Sequence, residues 1–197
     1  MAQSDILVSA AWAWYGPEGE PEPDETTIGV GEDWGGNWEW FGLTTTPLTL
    51  NLSTTEFSVD VQQLSTPVLS AITSEDYTLA TDLAEMTAIN LKLLFGGNIV
   101  TTPPGAGQAG VTTLRFGGRT ARTVYKLGFE AKVPQPDGSL LPLRLFFHRA
   151  QFSLGGAIAF DKGAVSAIPL AVKVLADESQ PEDEKLAVWQ KVTAVGS

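Results

Sequence analysis

The stretch DYTLATDLAEMTAINLKLLFGG, residues 76–97, decides the fold, because within it the hydrophobic period changes from that of a strand to that of a helix. Tyr77, Leu79, Thr81 and Leu83 alternate with Asp76, Thr78, Ala80 and Asp82, as in a strand with one buried face. From Met86 onward, Met86, Ile89 and Leu93 share one helical face, and Gly96-Gly97 supplies a left-handed stop. Asp82 with Glu85 reads as one start signal and Thr87 as another; the later start leaves the strand intact and is preferred. Leu91, Leu94 and Phe95 cover most of the far side, leaving Thr87, Asn90 and Lys92 as the polar positions. A helix apolar nearly all round needs partners on both sides. Either its own sheet and a neighbouring subunit supply them, or the helix is wholly internal to one subunit.

Outward from this stretch, 197 residues suffice for one core, so a single domain over residues 1–197 is expected. The chain has no cysteine, which removes disulfides, thiolate metal sites and cysteine nucleophiles. No basic region followed by an apolar run opens the sequence and no apolar stretch approaches membrane-spanning length, so a soluble protein without a conventional export signal, and no membrane partner, is expected. The net charge of −11 is uneven. Residues 1–114 carry 15 acidic side chains against Lys92 alone, giving −14, while residues 115–197 carry 11 basic against 8 acidic, giving +3. Such acidity argues against gripping a phosphate backbone. The asymmetry suits head-to-tail packing of identical subunits, and acidity also serves simply to keep a protein soluble.

Residues 6–15 read as a strand with Trp12 and Trp14 on one face. Residues 16–36, rich in Pro, Gly, Glu and Asp, read as an exposed, mobile connection. Trp34, Trp38 and Trp40 bring the tryptophans of the first 40 residues to five, a density that normally buries against something. Leu48, Leu50 and Leu52 alternate, as do Phe57, Val59 and Val61, predicting two strands either side of residues 53–56, and residues 68–73 lead into the strand of the opening stretch. Residues 101–110 read as a loop and 111–116 as a strand. Residues 124–133 form the clearest strand, followed by a turn at Asp137-Gly138. Residues 141–152 are a strand whose apolar frame slips at Phe146-Phe147, which a bulge or burial of both faces would explain. A turn at 161–163 precedes a strand with Ile168, Leu170, Val172 and Val174 inward, and the chain closes with a turn and short strand in preference to a helix. The class is therefore mainly β: two packed antiparallel sheets with one helix on a flank.

Catalytic chemistry finds little footing. His148 is the only histidine, beside Arg149 in a strand, and a structural role is expected of it. Neither glycine-rich piece, 29–36 or 105–110, contains a phosphate-binding pattern. Asp24-Glu25 and Glu32-Asp33 lack the oxygen-ligand spacing of a calcium loop. No enzyme, metal or cofactor is expected. A self-assembling structural protein and a carbohydrate-binding β-sandwich stacking sugars on tryptophan remain, with sugar binding second because the tryptophans cluster around an acidic loop.

Residues 56–97 resemble the major tail (tail tube) proteins of long-tailed, non-contractile phages, in particular those infecting actinobacteria. The shared order is a strand, a Gln-containing turn, a strand entered through Ser74-Glu75-Asp76 and a helix ending in Gly-Gly. Residues 147–177, FHRAQFSLGGAIAFDKGAVSAIPLAVKVLAD, are similar to that family's other recurring piece, a strand, short turn and closing strand ahead of Asp. The resemblance implies a β-sandwich flanked by a helix and a place in the virion tail. Its subunits form rings of six, stacked into a tube through which genomic DNA passes without specific binding, with tape-measure and tail-terminator proteins as further partners. The tube protein of a related secretion or contractile system is the nearest alternative. Subunit contacts are expected from Trp34, Trp38, Trp40, Leu91, Leu94 and Phe95, and a bore lined by Asp60, Asp76 and Asp82. The loop 16–40 is expected to be disordered until a neighbour orders it, the competing view being a loop packed on its own subunit.

Overall fold

The computed structural model describes residues 10–24, 28–60, 62–63, 65–135, 138–160, 162–163 and 165–193. Its elements are β1 (Ala11–Pro17), β2 (Glu39–Trp40), β3 (Thr49–Val59), β4 (Leu69–Leu83), α1 (Ala88–Phe95), β5 (Asn98–Thr102), β6 (Val111–Arg115), β7 (Val124–Pro134), β8 (Leu140–Leu154), β9 (Ile168–Leu175) and β10 (Ala187–Lys191). All strand pairs are antiparallel. The large sheet runs β2-β1-β7-β8-β9-β4-β3, β10 joins β8, and β5 with β6 makes a second, small sheet. The fold is mainly β with one flanking helix, as the hydrophobic periods require, and is consistent with a β-sandwich. The residues expected to open the first strand, 6–9, and the turn residues Asp137 and Asp161 lie outside the described set.

β8 organises the sheet. One edge pairs with β7 along its length; the other pairs with β10 over residues 143–147 and with β9 over 149–154. The frame slip at Phe146-Phe147 has both of its expected causes. Phe146 packs with Trp14, Trp34 and Trp38, whereas Phe147 belongs to the cluster of Leu127, Phe129, Leu79 and Val172. The pairing with β7 shifts immediately after, since Leu127 faces Phe147 but Tyr125 faces Ala150.

α1 begins at the later of the two start signals: Thr87 is the N-cap, its Oγ accepting the Asn90 amide at 3.1 Å, and Gly96 closes the helix at φ 69°. β10 confirms a closing strand over a closing helix. β5 has no counterpart in the sequence reading, where the nearby Pro and Gly drew the loop boundary too early; Ile99, Val100, Thr101 and Thr102 are nonetheless β-prone.

Candidate functional site

The face of β1, β7 and β8 that carries Phe146 is built from two cross-strand rows. Trp14, Gly128 and Phe146 lie side by side in register, and next to them Trp12, Glu130 and Arg144. Gly128 leaves a gap in the first row, and Trp34 of the N-terminal loop fills it: a Cβ on Gly128 would stand 2.6 Å from Trp34 Cη2. The Trp34 ring stacks on Trp14 at 5.2 Å, and Trp38 meets Trp34 edge-on at 5.0 Å with its indole donating to the Pro21 carbonyl. In the second row Arg144 Nε donates to Glu130 Oε1 at 2.9 Å, with side chains 1 % and 0 % exposed. The loop completes this buried pair. Arg144 also donates to the carbonyls of Pro23 and Ile28, and Glu130 Oε2 accepts the Gly31 amide. Glu22 with Lys126 and Glu18 with Arg149 fasten the loop further, and Glu20 accepts both amide groups of Asn37. The Asn37 backbone amide is the main cause holding the Glu20 carboxyl below its ordinary range.

The described residues of the loop are thus packed on their own subunit, the second of the two arrangements that the sequence left open. Acids and prolines carry a loop away from a core only when nothing anchors it, and here two indoles and a buried cation do. Trp34 and Trp38 are buried inside the subunit; Trp40, on the edge strand β2, is 42 % exposed. Beside it the Tyr15 hydroxyl donates to Glu39, and burial, then that carboxylate, raises the phenol well above its ordinary pKa.

The helix packs on its own subunit in the same way. Leu93 and Leu94 are buried and Leu91 and Phe95 half-buried against the subunit's own core. Asn90, expected among the polar positions, is buried too, its amide donating to the Phe41 and Glu85 carbonyls. Leu94 is therefore a core residue. The side left open is that of Met86, Ile89 (51 % exposed) and Lys92, joined by Leu43, whose amide and carbonyl bond to Glu85 and Ala84. Phe116 stacks on Phe95 at 5.0 Å and is itself exposed.

The third surface is the end of the sheet formed by β9, β4 and β3. Its inner face is apolar, with Leu79, Leu83, Ile168, Leu170, Val172 and Val174 buried. Its outer face is small and polar: Asp76, Thr78, Ala80 and Asp82 on β4, Lys173 opposite Thr78, and Asn51 and Ser53 on β3. Lys173 Nζ lies 3.1 Å from Asp76 Oδ1 with both groups in solvent. Asp76 and Asp82 share this face, as alternation predicts; Asp60 lies beyond the end of β3, apart from them. The signal missed in the sequence is Lys173, whose place beside Asp76 depends on the β4–β9 register.

Among the described residues no group of three or more His, Asp or Glu is placed to hold a metal ion, and no helix is long and apolar enough to cross a membrane. His148 is buried in β8 beside the C-terminal segment, its amide donating to the Leu186 carbonyl. None of the curated proteins compared matches the chain. Over residues 2–194 the chain is similar to a family described as phage tail tube protein.

Proposed function

The chain belongs to the phage tail tube protein family, and on that premise we propose that it assembles into hexameric rings that stack into the tail's DNA conduit. The observation that supports assembly most directly is β3 with the outer part of β4. Residues 52–59 and 69–77 form a two-stranded ribbon beyond the reach of β9, almost all of it exposed, although it carries Leu52, Phe57, Leu69 and Ile72. Two strands alone are at best marginally stable in water, and open apolar side chains of this number mark a contact surface. Among the described residues β3 is also a long edge without a second partner, a ready template for another chain. The tape-measure and tail-terminator proteins are the further partners this role calls for.

For the bore, the polar face of β4 and β9 is the reading we favour. Its described side chains include Thr78, Ala80, Pro169 and Ala171 with Asp76 and Asp82, and Lys173 is compensated by Asp76, so the acids and small groups of this face offer a passing phosphate no uncompensated cation. Sugar binding loses ground because Trp14, Trp34 and Trp38, half of the chain's six tryptophans, are buried against one another and closed to a sugar ring. Negative-stain electron microscopy of the pure protein at rising concentration tests the assembly. Rings and tubes are expected; monomers at every concentration would refute it.

A further inference from the structure

The apolar surface of the ribbon changes sides halfway along. On β3, Leu50 and Leu52 occupy even positions and Phe57 and Val59 odd ones, so the two pairs point to opposite faces. On β4 the corresponding residues, Leu79, Tyr77, Ala71 and Leu69, are all odd and would share one face in a regular strand. A bulge prevents this. Thr55 pairs with Ser74 but Glu56 with Ile72, so Thr73 is the extra residue, and beyond it Ala71 and Leu69 sit opposite Phe57 and Val59. Both strands therefore switch faces together, one through its sequence and the other through its bulge. The inner half turns Leu50 and Leu52 to the same side as the buried Leu79; the outer half turns Phe57, Val59 and Leu69 to the other, while Ile72, opposite Glu56 at the bulge, stays on the first side.

Resting on the assembly reading above, we propose that the ribbon is a two-faced arm whose outer half seats on the open helix flank of a second copy, while its inner half is covered from the opposite side. The flank consists of Leu43, Met86 and Ile89, with Lys92 one turn along from Ile89. Charge selects it. Residues 49–83 hold Glu56, Asp60, Glu75, Asp76 and Asp82 and no Lys or Arg, whereas on the flank the carboxylate of Glu85 is taken up by the Leu43 amide and the far end carries exposed Lys92 and the nearby Arg119, which donates to the Leu94 carbonyl. Over eight residues the arm extends roughly 25 Å past β9, far enough to leave its own body. Its apolar outer face then meets an apolar patch that the described residues leave exposed, a heterologous contact that repeats from copy to copy.

Because the chain has no cysteine, single-cysteine variants at positions 50–53 and 56–59 report on the two faces without background. In assembled protein, maleimide labelling should slow by on the order of tenfold at Leu50→Cys and Leu52→Cys but not at Asn51→Cys or Ser53→Cys, and the phase should invert so that Phe57→Cys and Val59→Cys are protected and Glu56→Cys and Ser58→Cys are not. A photo-crosslinker carried on Ser58→Cys, which leaves Phe57 and Val59 in place, should capture residues 86–92 of another copy, the arm being thin enough to be spanned. One unbroken phase along β3, or capture of another surface, of the same chain or of no other copy, overturns the proposal while tubes still form. Failure of the unaltered protein to form tubes overturns instead the assembly reading on which it rests.

Discussion

The N-terminal loop and the β3–β4 ribbon are both long excursions from the sheet, and they end in opposite states. The loop, acidic and rich in proline, folds back and closes over a buried ion pair and a stack of indoles. The ribbon, strand-forming in sequence and paired within itself apart from the bulge at Thr73, is open to water on both faces. Composition alone ranks them the other way round. What separates them is the presence of an anchor. Two tryptophans and a desolvated guanidinium outweigh the loop's solubility, whereas backbone pairing gives the ribbon regular shape without covering its side chains.

The sharpest way to break this contrast is to remove one member of the buried pair. Glu130→Ala leaves Arg144 uncompensated beneath the loop and should cost about 3–5 kcal/mol in denaturant unfolding of the monomer; a loss under about 1 kcal/mol would mean the loop does not close the pair off from water. Gly128→Ala presses a methyl group into the Trp34 ring and should cost roughly 1–3 kcal/mol, with a changed indole emission spectrum; unaltered emission would show that Trp34 does not sit there. The ribbon should behave in the reverse manner. Phe57→Asp should shift monomer stability by no more than about 0.5 kcal/mol and yet stop assembly in sedimentation, and a large monomer destabilisation would mean that the side chain has a partner in its own subunit. The smallest effect belongs to pH. The folded-state pKa of Glu20 is lowered, so its hold on Asn37 is present above the ordinary carboxylate range and is lost as pH falls through that lowered value. The protection factor of the Asn37 amide, its exchange set against the intrinsic rate at each pH, should therefore fall in acid, and a protection factor unchanged by Glu20→Gln at low and neutral pH alike would remove the carboxylate from the account.

Much of the fold was legible because period is a local signal. The alternation in β4, the helix capped by Thr87 and the doubly buried Phe146-Phe147 can each be read within a dozen residues. The packing of the loop was hidden because its anchors are distant: Arg144 is 121 residues from the Pro23 carbonyl it binds, and Gly128 advertises its gap only as a glycine inside a strong strand. On the helix, an apolar circumference did not say which side was free, since Asn90 turns inward to bind two carbonyls while Ile89 stays out. The two-faced ribbon lay half in view. The parity step from Leu52 to Phe57 is in the sequence, but the compensating bulge at Thr73 emerges only from the pairing register.

β8 carries a mechanical consequence. Its 15 residues are bonded to β7 along one edge and to β10 and then β9 along the other, all antiparallel. A pull along that strand loads these hydrogen bonds in shear, many at once, instead of unzipping them singly from an end. Stretched between handles at residues 140 and 154, the subunit should yield in one abrupt high-force rupture, and a gradual low-force peel would show that the load runs elsewhere. A sheet joined in this way resists lengthwise tension at its centre while its outlying ribbon stays compliant.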